Sequence, residues 1–198
     1  MDKSRLFSWL LPAITTLLAT FVGAFLTYYF GVRAQVRGAN SQKRQEVFGR
    51  LMGQKVLRKQ LYVSRFEALI YSDYHERKWK LAGYPKESID IQEAQRWMHK
   101  SEDLALEIAR TNKDFLETVG LVTALFPKTS ELDARIDRVY HFGSPQLKIP
   151  WDTLDAGQLE PIKQKAVKDL QDFVEREYGK PVDELLEYLA RQFASDVK

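Results

Sequence analysis

Between Arg5 and Arg33 the chain contains no aspartate, glutamate, histidine, lysine or arginine. The oily part of that interval, Leu6 to Phe30, reads LFSWLLPAITTLLATFVGAFLTYYF. Wound as a helix, these 25 residues reach roughly 37 Å, enough to cross a hydrocarbon layer of about 30 Å with some tilt. Its polar members are the hydroxyls of Ser8, Thr15, Thr16, Thr20 and Thr27, which can bond a carbonyl one turn back and leave the helix intact in lipid. Pro12 falls in the second turn, where few backbone donors are lost. Trp9 stands near one boundary and Tyr28 and Tyr29 near the other, as the aromatic belts at headgroup depth require. The segment therefore predicts a single transmembrane helix over 6–30, preceded by a short tail, 1–5. A cleaved signal peptide fits poorly, because the apolar core is too long and the VRA at 32–34 is a poor cleavage site beside arginine.

Charge next to the span sets its direction. Lys3 and Arg5 precede it, while Arg33, Arg37, Lys43 and Arg44 follow, with Arg50 shortly after. The bias predicts that the carboxyl side stays in the cytoplasm. The net charge of +3 conceals an uneven distribution. Residues 31–66 hold nine basic side chains and one acid, whereas 67–198 hold 19 basic and 25 acidic ones. A basic connector, 31–44, is thus expected at anionic headgroups, within about a Debye length of the surface. Arg58 and Arg65 lie too far along a straight helix to help there, and are expected to meet acidic surfaces of this chain or a partner. Nucleic acid is a poor alternative polyanion, since the chain has no zinc-finger ligand set, RNP-like aromatic motif or Gly-x-x-Gly loop. The absence of cysteine rules out a disulfide framework.

Everything after the span reads as helix, giving an all-α fold with a soluble helical domain over 45–198. Asn40-Ser41 is the first expected break, with a bend across Gly31 to Ser41. From Gln42 to Leu81 the apolar residues step by three and four, a stripe broader than the seam of a strict two-stranded coiled coil. AGYPKES, 82–88, interrupts it. Asp90 and Glu93 are spaced as a capping box for the next helix, which carries an apolar face to Phe126. Two helices of nearly 40 residues, each about 55 Å long, predict an antiparallel hairpin over 45–127. Shorter helices follow over 130–198: one capped by Ser130, one from Gln158 to Tyr178 stopped by Gly179, and a last one with Pro181 in its first turn. These are expected to pack back on the hairpin, with 141–157 mostly loop and Trp151 anchoring it.

Signs of chemistry are few. The chain lacks a nucleophile elbow, a Walker loop, a dinucleotide-binding glycine pattern and a metalloprotease His-Glu motif. His99 and Asp103 share one face of the second long helix, and His75, with Asp73 and Glu76 close by, is level with Arg96 and His99 across the hairpin. A two-histidine, one-carboxylate arrangement is thus conceivable, but Arg96 opposes a cation. The reading is a non-enzymatic protein with no catalytic residue, cofactor or metal. Two other features bear on function. Ala19, Gly23, Thr27 and Gly31 recur every four residues and form a small ridge suited to helix–helix association. Tyr71, Tyr74, Trp79, Tyr84 and Trp97 cluster around the hairpin turn, covering the end of the core or offering a docking surface. The leading expectation is a single-pass scaffold or accessory protein that assembles a protein partner, or copies of itself, at the membrane. The alternative is a homo-oligomeric pore or transporter component with threonines lining the passage.

Overall fold

A computed structural model describes residues 3–141, 145 and 148–196, with side chains described for 24–36, 38–141, 145 and 148–193. The elements are α1 (Lys3–Leu81), α2 (Ile89–Leu125), α3 (Ser130–Tyr140), α4 (Ala156–Val174) and α5 (Lys180–Asp196), with a 3-10 turn at Trp151–Thr153 and a π turn at Glu175–Gly179. The described residues contain no strand, so the all-α class holds. The chain divides into two compact units, Met1–Gln45 and Glu46–Lys198.

In the first unit the backbone is helical from Lys3 onward. The break expected at Asn40-Ser41 does not occur, since the helix runs through it. Glycine in a helix interior costs about 1 kcal/mol relative to alanine, which weakens a helix without ending it, and no proline follows Gly31 or Gly38 to force a stop. Among the described residues no helix is long and apolar enough to cross a membrane. The side chains of residues 6–23, most of the expected 6–30 crossing, lie outside the described residues. The structure accordingly gives that crossing no support.

The second unit is built on α1 from Glu46 to Leu81, with α2 returning beside it. The Ser72 hydroxyl donates to the Ala94 carbonyl at 2.9 Å, and Arg58 Nη2 donates to Asn112 Oδ1 at 2.5 Å. Rising positions on one helix meet falling positions on the other, so the hairpin is antiparallel. Its turn is a Schellman cap: Tyr84 N–H bonds the Trp79 carbonyl at 3.2 Å and Gly83 N–H bonds the Lys80 carbonyl at 3.1 Å. Gly83 takes φ +81° and Tyr84 φ +61° to make it. The helix after the turn is capped by Ser88, whose hydroxyl accepts from Asp90 N–H, rather than by an Asp90–Glu93 box. Thr129, not Ser130, caps α3 by accepting from Leu132 N–H.

The third wall is a rod made of α4, the π turn and α5, antiparallel to α1. Tyr74, Glu67, Lys59 and Lys55 bond Glu160, Gln171, Glu175 and Asp183 in turn. Asp155 and Gln158 form a reciprocal capping box at its start. The helix expected to stop at Gly179 continues instead. Ala166, Leu170, Val174, Tyr178 and Val182 are all buried and all four apart. In a regular α-helix each such step turns the stripe by about 40°, and four steps would carry Val182 out of the core. The wider π turn unwinds the helix locally and keeps the stripe facing inward. The resulting core joins Leu51 and Tyr62 of α1, Phe115, Val119 and Val122 of α2, and Leu170, Val174, Tyr178, Leu185 and Leu189 of the rod. Arg135 and Arg138 of α3 reach Glu184, and Thr129 meets the Tyr188 hydroxyl at 2.8 Å, which closes α3 against α5.

Two glycines separate backbone need from side-chain room. Alanine at Gly83 must enter the left-handed region and costs about 1–2 kcal/mol. A Cβ at Gly179 would come 2.8 Å from Glu175 Oε2, which can swing aside by releasing Lys59. That exposed ion pair is worth at most about 1 kcal/mol and is offset by the helical advantage of alanine over glycine, also about 1 kcal/mol. Urea unfolding is expected to show Gly83→Ala destabilised by about 1–2 kcal/mol and Gly179→Ala unchanged within about 0.5 kcal/mol.

Candidate docking surface at the hairpin tip

The five aromatics expected at the tip fall into two groups with different work. Trp79 and Tyr84 serve the Schellman cap. Their rings meet edge to face at 4.8 Å, the hydrophobic contact that accompanies this cap, and Trp79 Nε1 donates to the Pro85 carbonyl at 3.0 Å. Tyr71, Tyr74 and Trp97 instead lie half-buried at the joint between the hairpin and α4. Tyr71 stacks on Trp97 at 4.8 Å. Lys163 of α4 places Nζ 4.3 Å from the Tyr74 ring centroid and 5.0 Å from that of Tyr71, a cation held by two π faces. Glu160 pairs with Lys163 at 2.8 Å and accepts from the Tyr74 hydroxyl at 2.9 Å.

Trp151 packs against α1. Its ring lies 6.5 Å from that of Tyr74, and it hydrogen-bonds the Asp73 carboxylate. Arg77 adds a clamp, donating from Nε and Nη2 to the Leu154 carbonyl at 3.1 and 2.7 Å. On the other side of the tip, Asp90 of α2 receives His75 at 2.9 Å and Lys78 at 3.1 Å, both from α1.

Electrostatics fix the protonation of this joint. Burial, followed by Glu160, pushes the Tyr74 phenol up to about 12. Lys163 and then Tyr74 pull Glu160 down to about 2. Both groups keep one protonation state across neutral pH, so the pair acts as a fixed hydrogen-bonded tie. Asp73 is raised, by burial first and Glu76 second. Asp90 is lowered by its bonds to His75 and Lys78, which outweigh the opposing effect of burial.

The arrangement weighed for a metal does not assemble. His75 is taken up by Asp90, and His99 is 78% exposed beside Glu102. No group of three histidine or carboxylate residues able to hold a cation occurs among the described residues. The exposed apolar surface of the tip comprises Tyr84 at 57%, Leu81 at 42% and Ile89 at 77%. Leu81 and Ile89 carried no sequence signal for this role, because each continues the apolar pattern of its helix.

At the amino-terminal unit Tyr28, Tyr29, Arg33 and Lys43 are exposed, and Arg44 is half-exposed. Phe25 stacks on Tyr29 at 6.3 Å, and the Arg33 guanidinium lies over the Tyr29 ring at 5.9 Å. Of the expected association ridge, Thr27 and Gly31 are exposed, and a Cβ at Gly31 would meet no atom within 4 Å. Trp9, Ala19, Gly23 and the Arg37 side chain lie outside the described residues. Arg58, expected to meet an acidic surface, is instead buried against Phe115. No protein-family model matches the chain, and no curated protein or solved structure is significantly similar to it.

The charge network at the tip has a definite pH signature. A lowered carboxylate stabilises the fold above its unfolded pKa, and that stabilisation is lost as pH falls through the folded value. Asp90 and Glu160 act in this sense, while the raised Asp73 acts in the opposite one. In thermal melts between about pH 6 and pH 2, Asp90→Asn and Glu160→Gln are each expected to flatten the acid-side fall in midpoint, and Asp73→Asn to steepen it.

Proposed function

We propose that this chain is a single-pass, membrane-anchored helical scaffold that mediates protein–protein assembly at the membrane. Residues 6–30 form the anchor, 31–44 the basic connector at anionic headgroups, and the helical domain lies on the cytoplasmic side. The observation that carries the reading is the transition after the apolar run: exposed Tyr28, Tyr29 and Phe30, then Arg33 against the Tyr29 ring. Rings and guanidinium groups side by side on a helix surface suit the headgroup layer, where one end of each side chain is in oil and the other in water. The helical hairpin then carries its exposed tip, Leu81, Tyr84 and Ile89, as the surface offered to a protein partner.

Gly23→Lys tests the anchor. An ammonium near mid-depth costs about 2.5–3.5 kcal/mol on insertion scales, so the variant is expected to move from the carbonate-washed membrane pellet to the soluble fraction. Equal retention of both proteins would remove the anchor from the proposal. The assembly role is tested by crosslinking in native membranes and identifying the attached chains. A reproducible foreign partner whose yield falls with Ile89→Asp is expected. Ladders containing only this chain would favour a homo-oligomeric pore or transporter component instead.

A further inference from the structure

Arg58 is an unusual core residue. Its side chain lies in the interior, 6% exposed, with the guanidinium carbon 3.9 Å from the Phe115 ring centroid, 5.3 Å from that of Tyr178 and 5.7 Å from that of Tyr62. Nη2 donates to Tyr62 Oη at 3.2 Å and Asn112 Oδ1 at 2.5 Å, and the Tyr178 hydroxyl is a further hydrogen-bond partner of the side chain. Nε and Nη1 are buried and meet no acceptor among the described residues. They carry three of the five guanidinium N–H bonds.

The charge is uncompensated as well. Among the described residues no carboxylate pairs with Arg58, and the two that reach this stretch of α1 are already taken, Asp183 by Lys55 and Glu175 by Lys59. Arg65, two turns further along the same face, also has a buried Nε without an acceptor. Lys55, Arg58, Lys59 and Arg65 thus bring four cations against two acids. Aromatic faces attract a cation but accept no N–H bond along the guanidinium edge. A buried guanidinium arranged in this way is short of one negative charge and of acceptors.

We propose that Arg58 is the centre of an internal binding site for a small monovalent anion of chloride size. Such an ion supplies both missing things, a charge and an acceptor for the unserved N–H bonds. The enclosed position favours a compact, singly charged ion over a divalent oxyanion, which would have to shed more hydration. Gln54 stands one turn before Arg58 on the same face, and its buried Oε1 also meets no partner. With its amide turned over, Gln54 presents a donor there instead. The Tyr178 phenol, kept protonated by burial, is hydrogen-bonded to the Arg58 side chain and holds it in place.

The test uses the full-length chain. Sodium gluconate is replaced stepwise by sodium chloride at constant ionic strength while the thermal midpoint is followed. Saturable stabilisation is expected, about 3–6 °C at ten times the dissociation constant. Arg58→Met is expected to abolish the rise, whereas Arg96→Met, at an exposed arginine, retains it. Chloride-35 resonance broadening by the wild-type protein, reversed by bromide, gives a second readout that needs no variant. A midpoint indifferent to the anion, a slope that survives in Arg58→Met, or an unbroadened chloride line would each overturn the site. If Arg58→Met does not fold, the broadening alone decides.

Discussion

The second unit depends on one constraint: the inner face of α1 must satisfy two neighbours at once. Leu51, Arg58 and Tyr62 meet Phe115 and Asn112 on α2 and Tyr178 on the returning rod. Neither the hairpin nor the rod alone would bury that face. Packing three helices around it removes most of the apolar stripe from water, and the polar residues within it must then find partners inside. Tyr62 and Asn112 supply two. The ion pairs Lys55–Asp183 and Lys59–Glu175 flank the same region and hold the rod in register along α1.

The same constraint explains the tip. Once α4 lies along α1, its first turns face Tyr71 and Tyr74, and the Lys163 ammonium lies over their rings. Glu160 completes the neutralisation while accepting from Tyr74. What looks in sequence like an aromatic recognition patch is therefore divided between a helix cap and an interhelical tie. The apolar surface left exposed at the tip is smaller and more aliphatic, centred on Leu81, Tyr84 and Ile89.

Much of the fold was legible because its signals are periodic or stereochemical. Stripes stepping by three and four marked the long helices, Gly83 and Pro85 marked the turn, and Trp151 between Pro150 and Asp152 marked an anchor onto the bundle. The failures have physical causes. Asn40-Ser41 does not interrupt the helix, because nearby glycines only weaken one and no proline follows to end it. Gly179 was read as a terminator although four successive steps of four, Ala166 to Val182, already called for an underwound turn. The cap residues were misassigned by one or two positions because neighbouring Thr129, Ser130, Ser88 and Asp90 all have capping chemistry. Arg58 was unreadable, since a basic residue within a basic segment gives no sign that it faces aromatic rings.

The π turn sets a phase for everything beyond it. Val182, Leu185 and Leu189 reach the interior only because Glu175–Gly179 adds backbone without completing an ordinary turn. Adding one further residue there without more underwinding would rotate α5 by about 100°. Glu184 and Tyr188 would leave Arg135 and Thr129, so α3 would lose its seat along with the core. A local irregularity of five residues thus acts as the angular reference for the whole carboxyl-terminal end.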